Sequence, residues 1–499
     1  MMAVRTRSHP HRLPIPPRRR EDPPMSEKAS TSTASAPADP PDGPVVLARL
    51  ERLPFTRVHL RVASILGIGT LIDSFDGLVV AVALTSILTT FGAPLSVAGP
   101  LIAAGYLGQI LGAVGFGVLS ERYGRKWAYI ASSVIFGGLS LTAAFSWSVD
   151  SLMVIRLVQG IGLGAEVPVA AAMFNEFVRA NARGRIVTLY ESLFIWGILL
   201  ASLLGGVFLA VFPPETAWRG LFLIGALPLV TAVWAWFRLP ESPRYLVEKG
   251  RVGDADRVVA EMERAVRRPD GEKSVTEPAP LAAAAPPSGR TRFGELLSRE
   301  YRGRTVLLWS TWLTTFFALW GFTTFMPTLL VKIGGLSPSV ASLLTGAITL
   351  GDLIVLYVAA WTLDRIGRRF WFITGYSLAL FGAVLGVVSI GLFGVSGWQM
   401  LFASGAIVLI GVNINAPLIY MYSAELYPTR MRAWATNVGS SLRSLAAVVS
   451  PIVLGLLLEQ PGGIVIAFAV FGAALAIGLG VFVKLGIETR QRSLEELAR

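Results

Sequence analysis

Seven charged side chains lie inside long apolar stretches of the sequence, and their types and spacing are the strongest chemical signal in the chain. The five acids are Asp73, Asp76, Glu166, Glu191 and Asp352, and the two bases are Arg156 and Arg443. A charged group costs several kcal/mol at the centre of a bilayer, so each is a candidate for function. Because two guanidinium groups cannot neutralise five carboxylates, some acids must be protonated or reach water. A carboxyl that exchanges a proton as its surroundings change can act as a coupling site.

Asp76 is the acid best placed for that role. A helix that starts near Arg61 and rises about 1.5 Å per residue carries Asp76 about 22 Å deep, just beyond the middle of a bilayer. Asp73 lies one turn below on the same face, and two acids one turn apart resist double ionisation. We expect Arg156 to change the proton affinity of Asp76. The alternatives are a static Asp76–Arg156 ion pair and, for Asp73, a water-exposed acid near a cavity mouth.

A polar strip accompanies Arg156 in its stretch. Arg156, Gln159, Leu163 and Glu166 fall within an arc of about 80° at 100° per residue. The strip is therefore predicted to face the interior, and Glu166 joins the two aspartates and Arg156 as a proton-coupling candidate. Three glycines of the same stretch are expected to permit close helix packing: Gly160, Gly162 and Gly164.

Arg443 is the candidate anchor for a substrate. It lies about 16 Å past Arg432 along a helix, near mid-membrane. A buried guanidinium presents a planar fork that matches a carboxylate through two hydrogen bonds. The alternative is a structural pair with Asp352 or Glu191. The candidate substrate-binding residues are Arg443, Glu191, Asp352, Trp320, Asn413, Asn415 and Tyr420.

Twelve apolar stretches must position these charges. Each is about 20 residues long, enough to cross a hydrocarbon core of about 30 Å as a helix. They begin near Val62, Val97, Ala128, Leu152, Ile186 and Leu221, and then near Thr305, Val340, Trp371, Met400, Ala435 and Ile464. Only a helical bundle satisfies so much backbone inside lipid. The sequence predicts an all-α polytopic membrane protein with twelve transmembrane helices in two six-helix bundles.

The charge distribution predicts the orientation. Charged residues make up 15% of the 499 residues, against about 25% in soluble domains. Lys and Arg total 44 against 32 Asp and Glu, a formal net charge of +12. Apart from Arg219, Lys332 and the two buried arginines, all basic residues fall on one side of the predicted bundle. By the positive-inside rule both termini and the long middle loop are cytoplasmic, and we predict no nucleic-acid partner.

Composition also excludes most enzyme and metal chemistry. The sequence contains no Cys, and His9, His11 and His59 all precede the first apolar stretch. A thiolate nucleophile or a Ser-His-acid triad therefore cannot form within the bundle. The phosphate-binding pattern G-x-x-x-x-G-K-[ST] does not occur. We predict that the protein is not an enzyme and has no cofactor and no bound metal.

The predicted units follow from these stretches. The first 60 residues are rich in Pro, Ser, Ala and Arg, and Met25 is a second possible start. The middle loop contains a helix-like stretch at 254–268 and a Pro- and Ala-rich linker at 277–288. The predicted units are a disordered cytoplasmic segment (1–60), an N-terminal six-helix bundle (61–238), a cytoplasmic loop (239–304), a C-terminal six-helix bundle (305–485) and a cytoplasmic tail (486–499).

The loops of the two halves carry related motifs. Residues 121–126 read ERYGRK after the second stretch, and residues 364–369 read DRIGRR after the eighth. Two similar bundles can rock about a site between them, as alternating access requires. We expect ion pairs among these motifs to close the cytoplasmic face and to break when it opens. The candidate gating residues are Gly117, Glu121, Arg122, Gly124, Arg125, Glu176, Arg183, Glu241, Arg244, Asp364, Arg365, Gly367, Arg368, Glu425, Arg430 and Arg432.

At these motifs the sequence resembles the major facilitator superfamily. The run from Gly117 to Lys126 is similar to the signature after helix 2 of that family, and the run from Asp364 to Arg369 is similar to its copy after helix 8. The sequence PESPR at 240–244 and the sequence ELYPTR at 425–430 resemble the sugar-transporter-like group. The resemblance implies the twelve-helix fold and alternating access. It also implies a coupling role for Asp76, since sugar:proton symporters carry an Asp at the matching place in helix 1.

Two differences from sugar carriers restrict the resemblance to another branch of the group. Sugar carriers usually bear a Gln in helix 5 and a Gln-Gln-Leu-Ser motif in helix 7, whereas this chain reads Tyr190-Glu191-Ser192 in the fifth stretch and has no Gln from Trp312 to Trp320. The Asp73-x-x-Asp76 pair and Arg443 resemble the metabolite:proton symporter branch, which includes nicotinate and benzoate uptake proteins.

The sequence thus predicts a secondary active transporter that takes up a small organic anion, such as an aromatic carboxylate, with protons. The alternatives left open are a sugar, polyol or organic-cation transporter of the same fold and a non-transporting membrane sensor. The expected partners are the small-molecule substrate, protons and the lipid bilayer. We expect a monomer in the cell (inner or plasma) membrane.

Overall fold

The computed structural model describes residues 42–178, 180–266, 293–392, 397–427 and 429–489, and these residues are almost entirely helical. The helices are α1 (Gly43–Arg52), α2 (Arg57–Phe91), α3 (Ala98–Tyr123), α4 (Arg125–Ala143), α5 (Val149–Phe177), α6 (Ala180–Val211), α7 (Pro214–Ile224), α8 (Pro228–Arg238), α9 (Pro243–Glu248), α10 (Val252–Val266), α11 (Arg302–Lys332), α12 (Pro338–Ile366), α13 (Arg368–Gly386), α14 (Trp398–Glu425), α15 (Thr429–Leu458) and α16 (Gly463–Leu485).

All twelve predicted stretches fall on these helices. Within the described ranges, 11 helices are long and apolar enough to cross a membrane, with α7 and α8 counted together as Pro214–Arg238. The predicted third span, α4, is more polar because it begins with Arg125 and Lys126 and contains several serines. We count α4 as a span because its 19 residues extend about 28 Å and pack along α5 and α8. The predicted all-helical fold is confirmed.

The spanning helices form two halves. Helices α2 to α8 pack against one another, as do α11 to α16. We call these sets the N-terminal half and the C-terminal half. The two halves meet chiefly where α6 contacts α12, where α3 contacts α15 and where α2 contacts α11. Any group between the halves is therefore held by helices from both of them.

The halves are joined at one end of the bundle. We call the end that carries the motifs at 121–126 and 364–369 the basic face. At the opposite end, a Cβ on Gly99 of α3 would lie 2.8 Å from the carbonyl oxygen of Pro451, so a glycine is needed for α3 and α15 to approach so closely. There too, Ser342 Oγ of α12 donates to the carbonyl oxygen of Ser202 of α6 at 2.7 Å. The structure is therefore closed at the end opposite the basic face.

Helices α1, α9 and α10 lie beside the N-terminal half at the basic face. The expectation that residues 1–60 are disordered is wrong for residues 43–52, which form α1. Val46 and Leu50 are buried one turn apart in the same hydrophobic cluster as Met262 of α10. Arg49 donates to Asp256 at 2.5 Å and to Glu263 at 2.6 Å, and its hydrogen bond to Glu263 raises the pKa of Arg49. This local amphipathic pattern prevails over the disorder-promoting composition of the whole segment.

The predicted loop helix at 254–268 corresponds to α10, which runs from Val252 to Val266. The predicted linker at 277–288, residues 1–41 and the tail from 490 onwards lie outside the described residues.

Candidate functional site

A buried ion pair joins α2 to α5 in the middle of the N-terminal half. Arg156 Nη1 donates to Asp76 Oδ2 at 2.5 Å and to Gln159 Oε1 at 2.9 Å, and Gln159 Nε2 donates to Asp76 Oδ1 at 3.0 Å. Asp76 is fully buried, and Arg156 is 4% exposed. Ser140 of α4 places its hydroxyl 3.4 Å from Asp76 Oδ1. Both oxygens of this carboxylate are thus satisfied by the polar strip predicted in α5.

Glycines allow the helices to hold this pair. A Cβ on Gly105 of α3 would lie 3.3 Å from Arg156 Nη2, and a Cβ on Gly160 of α5 would lie 2.2 Å from the carbonyl oxygen of Gly105. A Cβ on Gly164 would lie 2.0 Å from the carbonyl oxygen of Gln109. The absence of a side chain at Gly105 leaves room for the Arg156 guanidinium to reach Asp76 of α2.

Asp73 differs from its neighbour one turn away. The Asp73 carboxyl is buried, and its Oδ1 atom has no hydrogen-bond partner within the described part of the chain. The charges of Asp76, Arg443 and Arg156 all act on it. The structure therefore brings four of the predicted charged residues into one cluster, in which Arg443 comes from the opposite half.

Arg443 lies in α15 where the two halves meet. Among the residues that the structure describes, it forms no hydrogen bond or ion pair, and its Nε atom is buried. The predicted alternative of a pair with Asp352 is wrong, because Asp352 Oδ2 accepts from Asn413 Nδ2 at 2.9 Å instead. The side chain of Glu191, the other alternative, lies outside the described set. The Arg443 guanidinium thus faces the interior with no hydrogen-bond or ion-pair partner among the described residues.

Two narrow cavities lie beside this cluster. One is lined by Tyr106, Gln109, Trp320, Arg443, Ser444 and Ala447. The other is lined by Gly77, Val80, Ile102, Gly105, Tyr106, Gln109 and Arg156. Tyr106 and Gln109 border both cavities, so the two arginines face neighbouring spaces from opposite halves.

Tyr106 and Gln109 of α3 were not predicted from the sequence. The Tyr106 ring packs against Trp320 of α11 at a centroid distance of 4.9 Å and an angle of 56°. The signal that identifies them is their spacing of three residues in a Gly-rich helix, which puts both on one face. Without the position of α11, that face is indistinguishable from an ordinary packing face.

Several predicted residues lie apart from the cavities. Glu166 is buried beside Gly69, where a Cβ would lie 2.2 Å from Glu166 Oε1. Asn415 faces Gly375 of α13 inside the C-terminal half. The Tyr420 ring packs edge-on against Trp312 at 4.7 Å. These residues do not line the two cavities.

The basic face has matching ion pairs in the two halves. In the N-terminal half, Arg125 Nη2 donates to Glu176 Oε1 at 3.1 Å, and Glu241 Oε1 accepts from the backbone N–H groups of Arg125 at 3.1 Å and Lys126 at 3.2 Å. Gly124 precedes this helix start with a φ of 111°, which favours glycine. The carboxylate of Glu241 thereby occupies the positive end of α4.

The C-terminal half repeats this arrangement. Arg368 Nη2 donates to Glu425 Oε1 at 3.1 Å, and Gly367 has a φ of 108°. Glu488 accepts from the backbone N–H groups of Arg368 and Arg369, both at 3.0 Å. Glu488 was not predicted, although Glu488-Thr489 after α16 echoes Glu241-Ser242 after α8.

In this structure these pairs do not bridge the two halves, so the expected gate stays a prediction. Each described pair joins helices of one half, and all are present while the halves meet at the opposite end. Arg244 likewise pairs with Glu51 and donates to the carbonyl oxygen of Glu176 at 3.2 Å, both at the N-terminal half. The pairs hold the ends of each bundle together.

The remaining gating candidates form no hydrogen bond or ion pair that the structure describes between the halves. Four of them are exposed: Gly117, Glu121, Arg122 and Arg365. The side chains of four others lie outside the described set: Arg183, Asp364, Arg430 and Arg432.

Removing a single carboxylate cap should loosen one helix start and not its counterpart. In Glu488→Ala, the backbone amides at the start of α13 lose their acceptor, so we expect their hydrogen exchange to accelerate roughly fivefold to tenfold. The amides at the start of α4 should be unaffected, and Glu241→Ala should give the reciprocal pattern. Exchange measured by mass spectrometry on peptides covering the two starts checks this. Equal acceleration at both starts would contradict a local cap.

The burial of the Glu241 carboxyl also leads us to expect a pH effect on stability. Burial raises the pKa of Glu241 above its ordinary value of 4.5, against the opposing hydrogen bonds from the backbone of Ser242, Lys126 and Arg125. The folded state therefore binds the proton of the Glu241 carboxyl more tightly than the unfolded state does. The protonated carboxyl stabilises the fold below pH 4.5, and this contribution is lost as the pH rises. As the pH rises above 4.5, wild-type Tm should fall relative to Glu241→Gln. The exposed Glu248→Gln serves as control, and a pH-independent difference would contradict the prediction.

Comparison with known proteins decides the family. Residues 64–499 match the family described as "Sugar (and other) transporter". The chain belongs to this transporter family. It is therefore a membrane transporter of the major facilitator fold and not an enzyme, and it is a multi-pass protein of the plasma membrane.

The relatives of this transporter place it among metabolite carriers. It is 28% identical over 456 residues to the niacin transporter NiaP of Acinetobacter baylyi, covering 91% of this chain and 99% of that one. It is 30% identical over 424 residues to the 4-hydroxybenzoate transporter PcaK of Pseudomonas aeruginosa, covering 82% and 90%. The inward-open structure of the xylose transporter XylE from E. coli matches the fold with a TM-score of 0.66 at 20% identity, covering 88% and 99%. The transporter thus handles a small metabolite.

Proposed function

We propose that this transporter takes up a small aromatic carboxylate, such as benzoate or nicotinate, together with protons by alternating access. The observation that carries the proposal is the Arg443 guanidinium, which lines a cavity between the halves, has no hydrogen-bond partner among the described residues and acts electrostatically on Asp73. A guanidinium binds a carboxylate through two parallel hydrogen bonds. The names of the NiaP and PcaK relatives support an aromatic acid as the cargo.

The Asp76–Arg156 pair supplies the coupling. A protonated Asp76 is neutral and no longer binds Arg156 as an ion pair, so the guanidinium gains freedom to face the cavity that it already lines. Protonation thereby adds one positive charge to the site. An anion binds more tightly to the protonated site, and by thermodynamic reciprocity the bound anion also favours the proton.

Asp73 offers a second place for the proton. It lies one turn from Asp76 and carries a buried oxygen that no described residue hydrogen-bonds. A proton shared between the two carboxyls removes their mutual repulsion in the buried cluster. Glu166, which lies beside Gly69 one turn further along α2, continues the line of acids toward the basic face.

The two halves supply the alternating movement. We assign the basic face to the cytoplasm by the positive-inside rule. The structure is closed at the opposite end, which is the side that faces away from the cytoplasm in this assignment. In the outward-facing state the contacts between Gly99 and Pro451 and between Ser202 and Ser342 must separate while the charged cluster stays between the halves.

Uptake into proteoliposomes tests the proposal. Labelled benzoate and nicotinate are added outside vesicles with and without an imposed inward proton gradient. We expect accumulation that depends on the gradient, after subtraction of the passive entry into protein-free vesicles. Gradient-independent equilibration would overturn proton coupling. If the folded protein moved neither acid, the assigned substrate class would be wrong.

A further inference from the structure

Three polar groups around the Arg443 cavity are buried without a partner. Tyr106 Oη, Trp320 Nε1 and Arg443 Nε all lack a hydrogen bond to any residue in the described ranges. All three residues line the same cavity. Folded proteins leave few buried polar groups unsatisfied, and each such group calls for an explanation. Here three groups that can each donate a hydrogen bond face one space.

The three groups come from three helices and both halves. Tyr106 lies on α3, Trp320 on α11 and Arg443 on α15. Arg443 alone can bind the carboxylate of the substrate, because a guanidinium donates hydrogen bonds to both carboxylate oxygens. The Tyr106 hydroxyl and the Trp320 N–H then remain for a different acceptor on the same ligand. Two aromatic faces in contact at 4.9 Å also provide the surface against which a flat ring packs.

We infer that Tyr106 and Trp320 form a recognition site for a second hydrogen-bond acceptor on the ring of the aromatic carboxylate. The preferred substrates are then aromatic monocarboxylates whose ring carries a nitrogen or an oxygen acceptor, and an unsubstituted ring is a weaker ligand. A site built to hydrogen-bond a ligand atom discriminates strongly, since an analogue that lacks the atom leaves the buried groups unsatisfied. This inference rests on the proposed function, because it takes the carboxylate at Arg443 as given.

The aromatic pair must move to admit the ring. The cavity is narrow here, and Tyr106 and Trp320 contact each other across the boundary between the halves. A ring inserted between them replaces one tilted aromatic contact with two. The same two side chains therefore meet the ligand and separate when the halves rock, so ligand selection occurs where the halves meet.

Binding of two acids that differ by one ring atom tests this inference. Calorimetry on the purified full chain measures Kd for nicotinate, which has a ring nitrogen, and for benzoate, which has a C–H there. Wild type should bind nicotinate more tightly. The ring nitrogen accepts one hydrogen bond, so nicotinate should weaken about fivefold in whichever of Tyr106→Phe and Trp320→Phe removes its donor, while benzoate changes less than about twofold in both. Tyr123→Phe, at the exposed end of α3, is the matched control and should change neither.

The outcomes separate the two levels of the argument. Equal weakening of both acids in Tyr106→Phe and Trp320→Phe, or no weakening of either, would overturn the recognition of a second acceptor and leave carboxylate uptake standing. Binding of neither acid by the folded wild-type protein would overturn the proposed function and this inference with it. A wild-type preference for benzoate would also overturn the inference.

Discussion

Asp76→Asn should abolish uphill uptake and leave exchange intact. Asparagine is neutral and nearly isosteric with the protonated acid, so the variant mimics the proton-loaded state at every pH. Wild type that moves one proton with each monovalent anion accumulates its substrate about tenfold per unit of pH gradient. In Asp76→Asn the accumulation ratio should fall to about one, while exchange of labelled for unlabelled substrate stays within about threefold of wild type.

The pH dependence of binding gives a second readout for the same variant. Wild-type affinity for the anion should fall as the pH rises, because the unprotonated Asp76 holds Arg156 in the ion pair. Affinity in Asp76→Asn should be nearly independent of pH. Asp150→Asn, an exposed acid at the start of α5, serves as the matched control and should retain gradient-driven uptake. Accumulation at the wild-type level in Asp76→Asn would mean that the Asp76–Arg156 pair is only a structural link between α2 and α5.

Arg443→Gln should weaken carboxylate ligands selectively. Removal of one partner of a buried, hydrogen-bonded charge pair typically costs about 2 kcal/mol or more, so Kd for benzoate and nicotinate should rise at least about 30-fold. The neutral amides benzamide and nicotinamide lack the charge and should change less than about threefold. Competition against labelled substrate in the purified protein measures both sets.

Two further variants separate binding from folding. Arg443→Lys keeps the charge but loses the planar fork, so it should recover part of the carboxylate affinity. Arg302→Gln, at the exposed start of α11, should leave all four ligands unaffected. An equal loss of affinity for acids and amides in Arg443→Gln would assign Arg443 to the folding of the C-terminal half.

The charged cluster could be found from sequence because of the physics of the bilayer. Charges are so costly in lipid that the few present must pair or take part in function, and this is enough to bring Asp76 and Arg156 together. The glycines of α5 are informative for a similar reason, since Gly160 and Gly164 each replace a side chain that would collide with the α3 backbone. The repeat of the glycine turn at Gly124 and Gly367 likewise follows from the motif.

The parts that were missed depend on distant contacts. Tyr106 is an ordinary aromatic residue of α3, and it pairs with the predicted Trp320 only when the halves pack. Glu488 caps α13 only because the chain after α16 returns to that helix start, which no local pattern specifies. Asp352 pairs with Asn413 instead of Arg443 because α12 and α14 are neighbours within one half, whereas Arg443 faces the other.

Proton movement driven by the substrate alone tests the coupling of proton and anion most directly. Proteoliposomes that contain a pH-sensitive dye are given nicotinate outside at equal pH on both sides, and protein-free vesicles correct for passive entry of the acid. Wild type should acidify the lumen in proportion to the nicotinate that enters, whereas Asp76→Asn should exchange labelled nicotinate without acidification. Nicotinate entry through the wild-type protein with no acidification would contradict proton-coupled anion uptake.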